Sequence, residues 1–325
     1  MTRRPENDLV RLAEGVAAGE RRATARAISL VEDGHPGRAE IVRRLYPRAK
    51  ASYLVGVTGP PGAGKSTLVD RLAGHDRRAG EKVGVICVDP TSPFTGGALL
   101  GDRIRMEDLA TDPGVFIRSM ATRGSRGGLA RAAGEAAVVL GATSPRVYLE
   151  TVGVGQIELD VAETADTVLV VLVPESGDGI QAMKAGLMEI GDIFVVNKAD
   201  REGAEGLRVE LVSTLRLRPD RSWDPPVLMT VGSRDEGTVE LATALADHRR
   251  WLAESGEGER RRRRRARAYV TELVRATLVG HLWEIDGLER MLAESIEGIV
   301  EGRIDPVAAA EEIVAASGLL DRTDT

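Results

Sequence analysis

A glycine-rich stretch between an apolar run and a helical pattern constrains this chain more than any other feature. Residues 59–66 read Gly-Pro-Pro-Gly-Ala-Gly-Lys-Ser, after the apolar run at 53–58 and before the helical pattern at 67–72. A strand, a turn that exposes successive N–H groups and a helix N-terminus bind an anion together, because their backbone dipoles converge on it. The sequence therefore predicts a phosphate-binding loop within an α/β fold.

The side chains of this loop have predicted roles in binding a nucleoside triphosphate. Lys65 is expected to reach the β- and γ-phosphates, and Ser66 to supply a hydroxyl ligand for Mg²⁺. The other predicted nucleotide contacts in this segment are Gly59, Pro60, Pro61, Gly62, Ala63, Gly64 and Thr67. The alternative, a turn that carries a lysine by chance, is disfavoured by the strand before it and the helix after it.

Short apolar runs alternate with helical patterns over most of the chain, which is typical of a parallel sheet covered by helices on both faces. The predicted strands are 52–58, 82–88, 115–119, 146–150, 166–173, 192–196 and 226–231. Amphipathic helices precede and follow this region. We therefore expect an N-terminal helical extension at 1–50, an α/β domain at 51–252 and a helical arm at 253–325.

Polar residues follow several of the predicted strands. Asp89 and Glu150 each end a strand, and Asn-Lys-Ala-Asp at 197–200 follows another. A lone acidic residue in such a place is usually a helix cap or a turn residue. Because the carboxyl ends of parallel strands meet at one edge, both acids become candidate ligands of Mg²⁺ beside the phosphate loop, directly or through water.

The motif at 197–200 predicts the base. The carboxylate of Asp200 can accept hydrogen bonds from N1–H and the exocyclic amino group of guanine, whereas adenine offers no such pair of donors. Asn197 can reach N7, and the aliphatic stem of Lys198 can lie along the ring. Four residues match by chance in many loops, but this match follows an apolar strand and a phosphate loop, so GTP is predicted rather than ATP.

A second motif concerns hydrolysis. The sequence from Glu150 to Gly153 stands where GTPases usually carry Asp-x-x-Gly, whose glycine N–H meets the γ-phosphate. Glu150 is one methylene longer than aspartate, which favours a contact with the metal through water. Val154 stands where small signalling GTPases hold the glutamine that orients the attacking water, and the role of Gln156 is open. We expect slow hydrolysis by this chain alone, completed by a partner or a rearranged loop.

Composition and charge argue against several classes of protein. The net charge is −6, which gives no reason to expect a nucleic-acid partner. No apolar run approaches the roughly 18 residues of a membrane span and no signal peptide is evident, so we expect a cytoplasmic protein without a membrane partner. Cys87 is the only cysteine and lies in an apolar run, so a buried small residue is expected. The arginine run at 260–265 is expected to begin a solvated helix, and a contact with nucleotide or an acidic partner is the alternative.

Six segments in this order resemble the MeaB/ArgK family of GTPases: GPPGAGKST, VDPTSPFTGGALLGDRIRM, IRSMATRG, ETVGVGQ, PESGDGIQAMKAGLMEI and VVNKAD. The resemblance spans about 9–300 and implies a P-loop NTPase fold of the SIMIBI type. It also implies a homodimeric GTPase that uses GTP/GDP and Mg²⁺. Such a protein gates adenosylcobalamin loading and protects or reactivates an acyl-CoA mutase, typically methylmalonyl-CoA mutase.

The resemblance also assigns residues. It implies that Asp89, Asp102 and Glu150 belong to the metal and switch shell, and that Asp178, Gln181 and Lys184 form an extra switch facing the mutase. Two segments depart from the family pattern. The extra switch is preceded by Pro174-Glu175-Ser176 where the family often has Pro-Gly, and Val231-Gly232 replaces the Ser-Ala that supports guanine, where a backbone N–H can serve.

The arm at 253–325 carries an apolar stripe that needs a partner. Val270, Leu273, Val274 and Leu278 recur at helical spacing, which suits pairing with a second subunit. Two other functions stay open. A nickel-type metallochaperone GTPase would need a Cys/His cluster, whereas Cys87 and the four histidines are scattered. A kinase of a transport protein would need an acceptor site that no motif displays.

Overall fold

A computed structural model of the chain contains one parallel sheet of seven strands within its described residues. The structure describes residues 4–89, 109, 111–121, 128–151, 164–174, 186–217 and 222–318, with the backbone alone for 4–6, 89, 121 and 128–130. The strands are β1 (Tyr53–Thr58), β2 (Val83–Asp89), β3 (Val115–Ala121), β4 (Arg146–Thr151), β5 (Thr167–Leu172), β6 (Ile193–Asn197) and β7 (Val227–Thr230). Their order is β3-β2-β4-β1-β5-β6-β7, all parallel. All seven predicted strands are confirmed.

Helices precede, alternate with and follow the strands along the described chain. They are α1 (Arg4–Ala17), α2 (Arg21–Glu32), α3 (Arg38–Ala49), α4 (Lys65–Arg78), α5 (Gly128–Gly141), α6 (Ala204–Arg216), α7 (Thr238–Glu254), α8 (Glu257–Trp283), α9 (Leu288–Val300) and α10 (Pro306–Ala316). A short 3-10 turn, Gly232–Arg234, lies between β7 and α7. The predicted helices before and after the α/β region are therefore present.

Both faces of the sheet are buried. Since alternate side chains of each strand point to opposite faces, the strands contribute to two separate cores. Val55 and Val57 of β1 belong to a core with Leu68 of α4 and Leu241 of α7. Leu54, which points to the opposite face, belongs to a second core. This core also contains residues of α1, α2, α3, α5 and α6. The continuous apolar strands of the sequence follow from this burial on both sides.

The chain divides into two compact units, Met1–Arg262 and Arg263–Thr325. In the first unit the N-terminal helices pack against α5 and the sheet, and Arg118 of β3 forms an ion pair of 2.6 Å with Glu32 of α2. In the second unit α9 and α10 pack on each other. Asp305 caps α10, because its Oδ1 accepts hydrogen bonds from two backbone N–H groups of the first turn.

A buried polar network lies where the strands begin, at the edge opposite the phosphate loop. His248 of α7 has no exposed surface, its Nδ1 lies 2.7 Å from the hydroxyl of Thr167, and its Nε2 lies 3.5 Å from Oδ1 of Asp192. Arg261 of α8 pairs with both oxygens of Asp192, each at 2.8 Å. Burial, with a smaller effect of Arg261, lowers the pKa of His248 to about 4, so the imidazole is neutral at pH 7.

Candidate nucleotide-binding site

The phosphate loop joins the end of β1 to the start of α4 in a conformation that only glycine adopts easily. Gly64 has φ 84° and Gly59 has φ 137°, both in the region that side chains disfavour. A Cβ atom at Gly59 would collide with the carbonyl oxygen of Val171. A Cβ atom at Gly64 would collide with Nδ2 of the Asn197 side chain. The two glycines therefore let the loop lie directly against β5 and the motif at 197–200.

Lys65 is the first residue of α4, and its ammonium group lies over the loop. Nζ donates to the carbonyl oxygens of Gly59 at 2.8 Å and Pro60 at 3.0 Å, and the residue is 5% exposed. The positive charge and the partial charge of the helix N-terminus act on the same point. A phosphate bound by the loop would meet both.

Ser66, at the start of α4, and Glu150, near the end of β4, are brought together because β1 and β4 are neighbours in the sheet. The Ser66 hydroxyl donates to Oε1 of Glu150 at 2.6 Å, and both side chains are buried. Glu150 lies beside Val57 in the β1–β4 pairing, and the backbone of Asp89 ends the strand on the other side of β4. A hydroxyl and a carboxylate are hard oxygen donors of the kind that Mg²⁺ prefers, so the described residues fit this ion.

Asn197 links the phosphate loop to the turn that follows β7. Its Nδ2 donates to the carbonyl oxygen of Ala63 at 2.8 Å. Its Oδ1 accepts from the Thr230 hydroxyl at 3.0 Å and from the N–H of Gly232 at 3.1 Å. Because Nδ2 carries two hydrogens and Ala63 takes one, the second can serve the predicted contact with N7.

Lys198 and Asp200, the other two residues predicted to read guanine, directly follow β6 and lie closer to the surface than Asn197. Lys198 has a left-handed backbone, with φ 56°, and the N–H of Ala199 donates to the carbonyl oxygen of Thr230 at 3.0 Å. Asp200 is the most exposed residue of the motif, with 36% of its side chain accessible. Its Oδ2 lies 3.3 Å from Nη2 of Arg234, a residue that no sequence motif indicated.

The N–H groups of Val231 and Gly232 are both used inside the protein. Val231 donates to the carbonyl oxygen of Glu236 at 3.0 Å, and Gly232 donates to Asn197. The sequence predicted that a backbone N–H here serves guanine. In the structure such a contact requires that one of these hydrogen bonds be shared or exchanged. Arg71 of α4 holds the same turn, since its Nε donates to the carbonyl oxygen of Gly232 at 3.2 Å.

Part of the predicted site falls outside the described residues and stays a prediction. This part comprises Asp102, Gly153, Val154, Gln156, Asp178, Gln181 and Lys184, together with the side chain of Asp89. Within the described residues, no group of three or more His, Cys, Asp or Glu side chains could hold a metal ion. None of the helices in the described ranges combines the length and the apolar composition that a membrane-spanning segment needs. Cys87 is buried, as predicted.

Comparison with known proteins gives consistent matches over most of the chain. The family model described as methylmalonyl Co-A mutase-associated GTPase MeaB matches residues 24–286. A Pyrococcus abyssi protein named "Putative GTPase" is 50% identical, covering 93% of this chain and 95% of its own length. The mouse methylmalonic aciduria type A homolog is 31% identical over 94% of this chain and 79% of its own length. The crystal structure of a LAO/AO transport system kinase superposes with a TM-score of 0.70 and 26% identity, covering 95% of this chain and 97% of that chain.

Proposed function

This chain belongs to the MeaB family of P-loop GTPases, and we propose that it hydrolyses GTP to gate the loading of adenosylcobalamin into an acyl-CoA mutase. The proposed partner is methylmalonyl-CoA mutase, which the chain would also protect or reactivate. The family description supports this partner, since it names that mutase. We propose that both proteins work in the cytoplasm, as the sequence predicts.

The observation that carries the proposal is the hydrogen bond from Ser66 to Glu150. Glu150 begins the stretch Glu-Thr-Val-Gly-Val-Gly-Gln, which the sequence identifies as typical of the family. Ser66 belongs to the phosphate loop. A change of nucleotide at the loop therefore acts on the first residue of this stretch through one short contact, which is what a switch requires.

We propose the following roles in hydrolysis within the domain at 51–252. Lys65 and the loop N–H groups neutralise charge on the phosphates, and Gly153 donates its N–H to the γ-phosphate. Ser66 would hold Mg²⁺, with Asp89, Asp102 and Glu150 contributing directly or through water; when bound, the ion supplies positive charge beside the β- and γ-phosphates. Asn197, Lys198 and Asp200 read guanine.

Slow hydrolysis by the chain alone is part of the proposal. Val154 cannot orient a water molecule, because its side chain has no hydrogen-bonding group. We propose that the mutase completes the site through the segment that contains Asp178, Gln181 and Lys184. The partner would then decide when GTP is turned over.

We expect that a purified cobalamin-dependent mutase from the same organism raises the GTP hydrolysis rate about tenfold or more. The measurement is the release of labelled inorganic phosphate at a fixed concentration of GTP, with and without the mutase. A parallel assay uses labelled ATP in place of GTP. The absence of both stimulation and a complex with any such mutase would contradict the proposed function. Equal turnover of ATP would contradict the base assignment. Label transferred to a protein would instead favour the kinase role named for the LAO/AO structure.

We also propose that the arm at 253–325 holds two copies together. In α8, Gly258 is the only buried residue, and Val270, Val274 and Leu278 lie one turn apart with 56%, 51% and 51% exposure. A long helix gains most of its stability from packing of an apolar face, so this face is suited to a second copy.

We expect Val274→Glu to shift the protein from dimer to monomer, because a symmetric contact would bury two like charges. Analytical ultracentrifugation at micromolar concentration measures the shift. Ala268→Glu is the control, since Ala268 is exposed on another side of the same helix and glutamate favours helix in both places. A monomeric wild type, or equal behaviour of the two variants, would contradict the proposed interface.

A further inference from the structure

Arg234 lies beside the carboxylate that the proposed site uses to read guanine. Its Nη2 is 3.3 Å from Oδ2 of Asp200, and its Nη1 is 4.0 Å from Oε1 of Glu236. The side chain of Arg234 is 59% exposed and that of Asp200 is 36% exposed, so a ligand can approach both groups. The ion pair therefore stands at the surface that a base would occupy.

The backbone that carries Arg234 is fixed independently of this ion pair. Val231 and Glu236 form an antiparallel bridge, with hydrogen bonds of 3.0 Å and 3.3 Å between their backbones. Inside the bridge, Gly232 is held on both sides, by Asn197 at its N–H and by Arg71 at its carbonyl oxygen. The turn thus presents the backbone of Arg234 from a fixed place, so that only its side chain has to be ordered.

The carboxylate of Asp200 needs such a partner because it rotates easily about the terminal torsion of the side chain. The terminal torsion of an aspartate has a broad, roughly twofold preference. Reading N1–H and the 2-amino group requires both oxygens to face the base, and each oxygen has a second lone pair that can accept elsewhere. A guanidinium on Oδ2 occupies such a lone pair and restricts rotation of the group before the base arrives.

We propose that Arg234 is a positioning residue for guanine recognition, which holds the Asp200 carboxylate in the orientation that reads N1–H and the 2-amino group together. The inference rests on the proposed GTP site and deepens it. Exposed ion pairs of this kind contribute little to stability, so an effect on nucleotide selectivity is separable from an effect on folding.

The test compares GDP with IDP, which lacks the 2-amino group. We expect Arg234→Ala to lower the ratio of GDP affinity to IDP affinity about threefold to fivefold, since the pair is exposed and its coupling is modest. Arg234→Lys keeps the charge without the planar fork and should retain part of the ratio. Isothermal titration of each nucleotide gives the affinities, and the thermal midpoint reports on folding.

Arg250→Ala is the matched control. Arg250 is 66% exposed and forms an ion pair of 3.3 Å with Asp247 of the same helix, at a place remote from the guanine motif. We expect its ratio of GDP to IDP affinity to equal that of the wild type. In an Asp200→Asn background, Arg234→Ala should change the ratio no further, because the group on which it acts is gone.

The outcomes separate the two hypotheses. If Asp200→Asn leaves the GDP to IDP ratio unchanged, the assignment of the base site itself fails. If Asp200→Asn lowers the ratio but neither Arg234 variant does, only the role of Arg234 fails. A rise in GDP affinity for Arg234→Ala would also overturn the inference, because Arg234 would then compete with the base for Asp200.

Discussion

Lys65→Ala is expected to lower the affinity for GTP about a hundredfold or more while the fold is retained. Lys65 is 5% exposed and its ammonium group lies over the loop, so its charge acts on a bound phosphate with little screening by water. A hydrogen bond to a charged group contributes about 1.5–3 kcal/mol, and more than one would be lost with the triphosphate. The carbonyl oxygens of Gly59 and Pro60 each lose one hydrogen bond when the side chain is removed.

Fluorescence titration with a labelled GTP analogue measures the loss, and gel filtration tests whether the oligomeric state is unchanged. Lys50→Ala is the control, because Lys50 is an exposed lysine at the end of α3, outside the phosphate loop. Affinity within about threefold of the wild type would show that the loop is not the phosphate site. A change in oligomeric state would show that Lys65 has a structural role that the proposed site does not include.

Arg261→Ala is expected to lower the free energy of unfolding by about 3 kcal/mol, because it leaves the carboxylate of Asp192 buried without its cation. The guanidinium contacts both oxygens at 2.8 Å, in the bidentate geometry that makes such pairs strong. The side chain of Asp192 is 7% exposed, so water cannot replace the lost partner easily. The hydrogen bond from the N–H of Val168 at 2.9 Å remains and keeps the loss from being larger.

Denaturant unfolding measures this loss, and Arg260→Ala is the control one residue away. Arg260 is 59% exposed and pairs with Glu257 on its own helix, an arrangement that contributes less than about 1 kcal/mol. Equal losses for the two variants would contradict a special role for Arg261. The arginine run is therefore not uniform: Arg260 fits the predicted solvated helix start, whereas Arg261 holds the first turns of α8 to the sheet.

The pH dependence gives a second measurement on the same network. Arg261 helps to lower the pKa of His248, and Asp192 acts in the opposite direction. Without Arg261 the pKa of His248 in the folded protein should rise, so the folded state binds a proton more readily. Stability then falls less steeply for Arg261→Ala than for the wild type as the pH decreases from 6.5 toward 4, and the deficit of the variant shrinks. A deficit that grows over this range would contradict the arrangement.

Much of the fold is predictable from the sequence because its signals are local. The seven strands appear as apolar runs, the phosphate loop as a spacing of glycines before Lys65, and the guanine motif as four adjacent residues. The sheet class follows, since a strand buried on both faces must be apolar along its length. The order β3-β2-β4-β1-β5-β6-β7 does not follow, because no local signal states which strands are neighbours.

The chain by itself thus determined the residue types of the site, and the tertiary structure decided which of them meet. Ser66 and Glu150 are 84 positions apart, and Asn197 and Ala63 are 134 positions apart, yet both pairs share hydrogen bonds. Arg234 has no motif, and only the turn after β7 places it beside Asp200. The reason is physical: a motif specifies the hydrogen-bonding groups of a few adjacent residues, whereas the partner of each group depends on how the strands are ordered in the sheet.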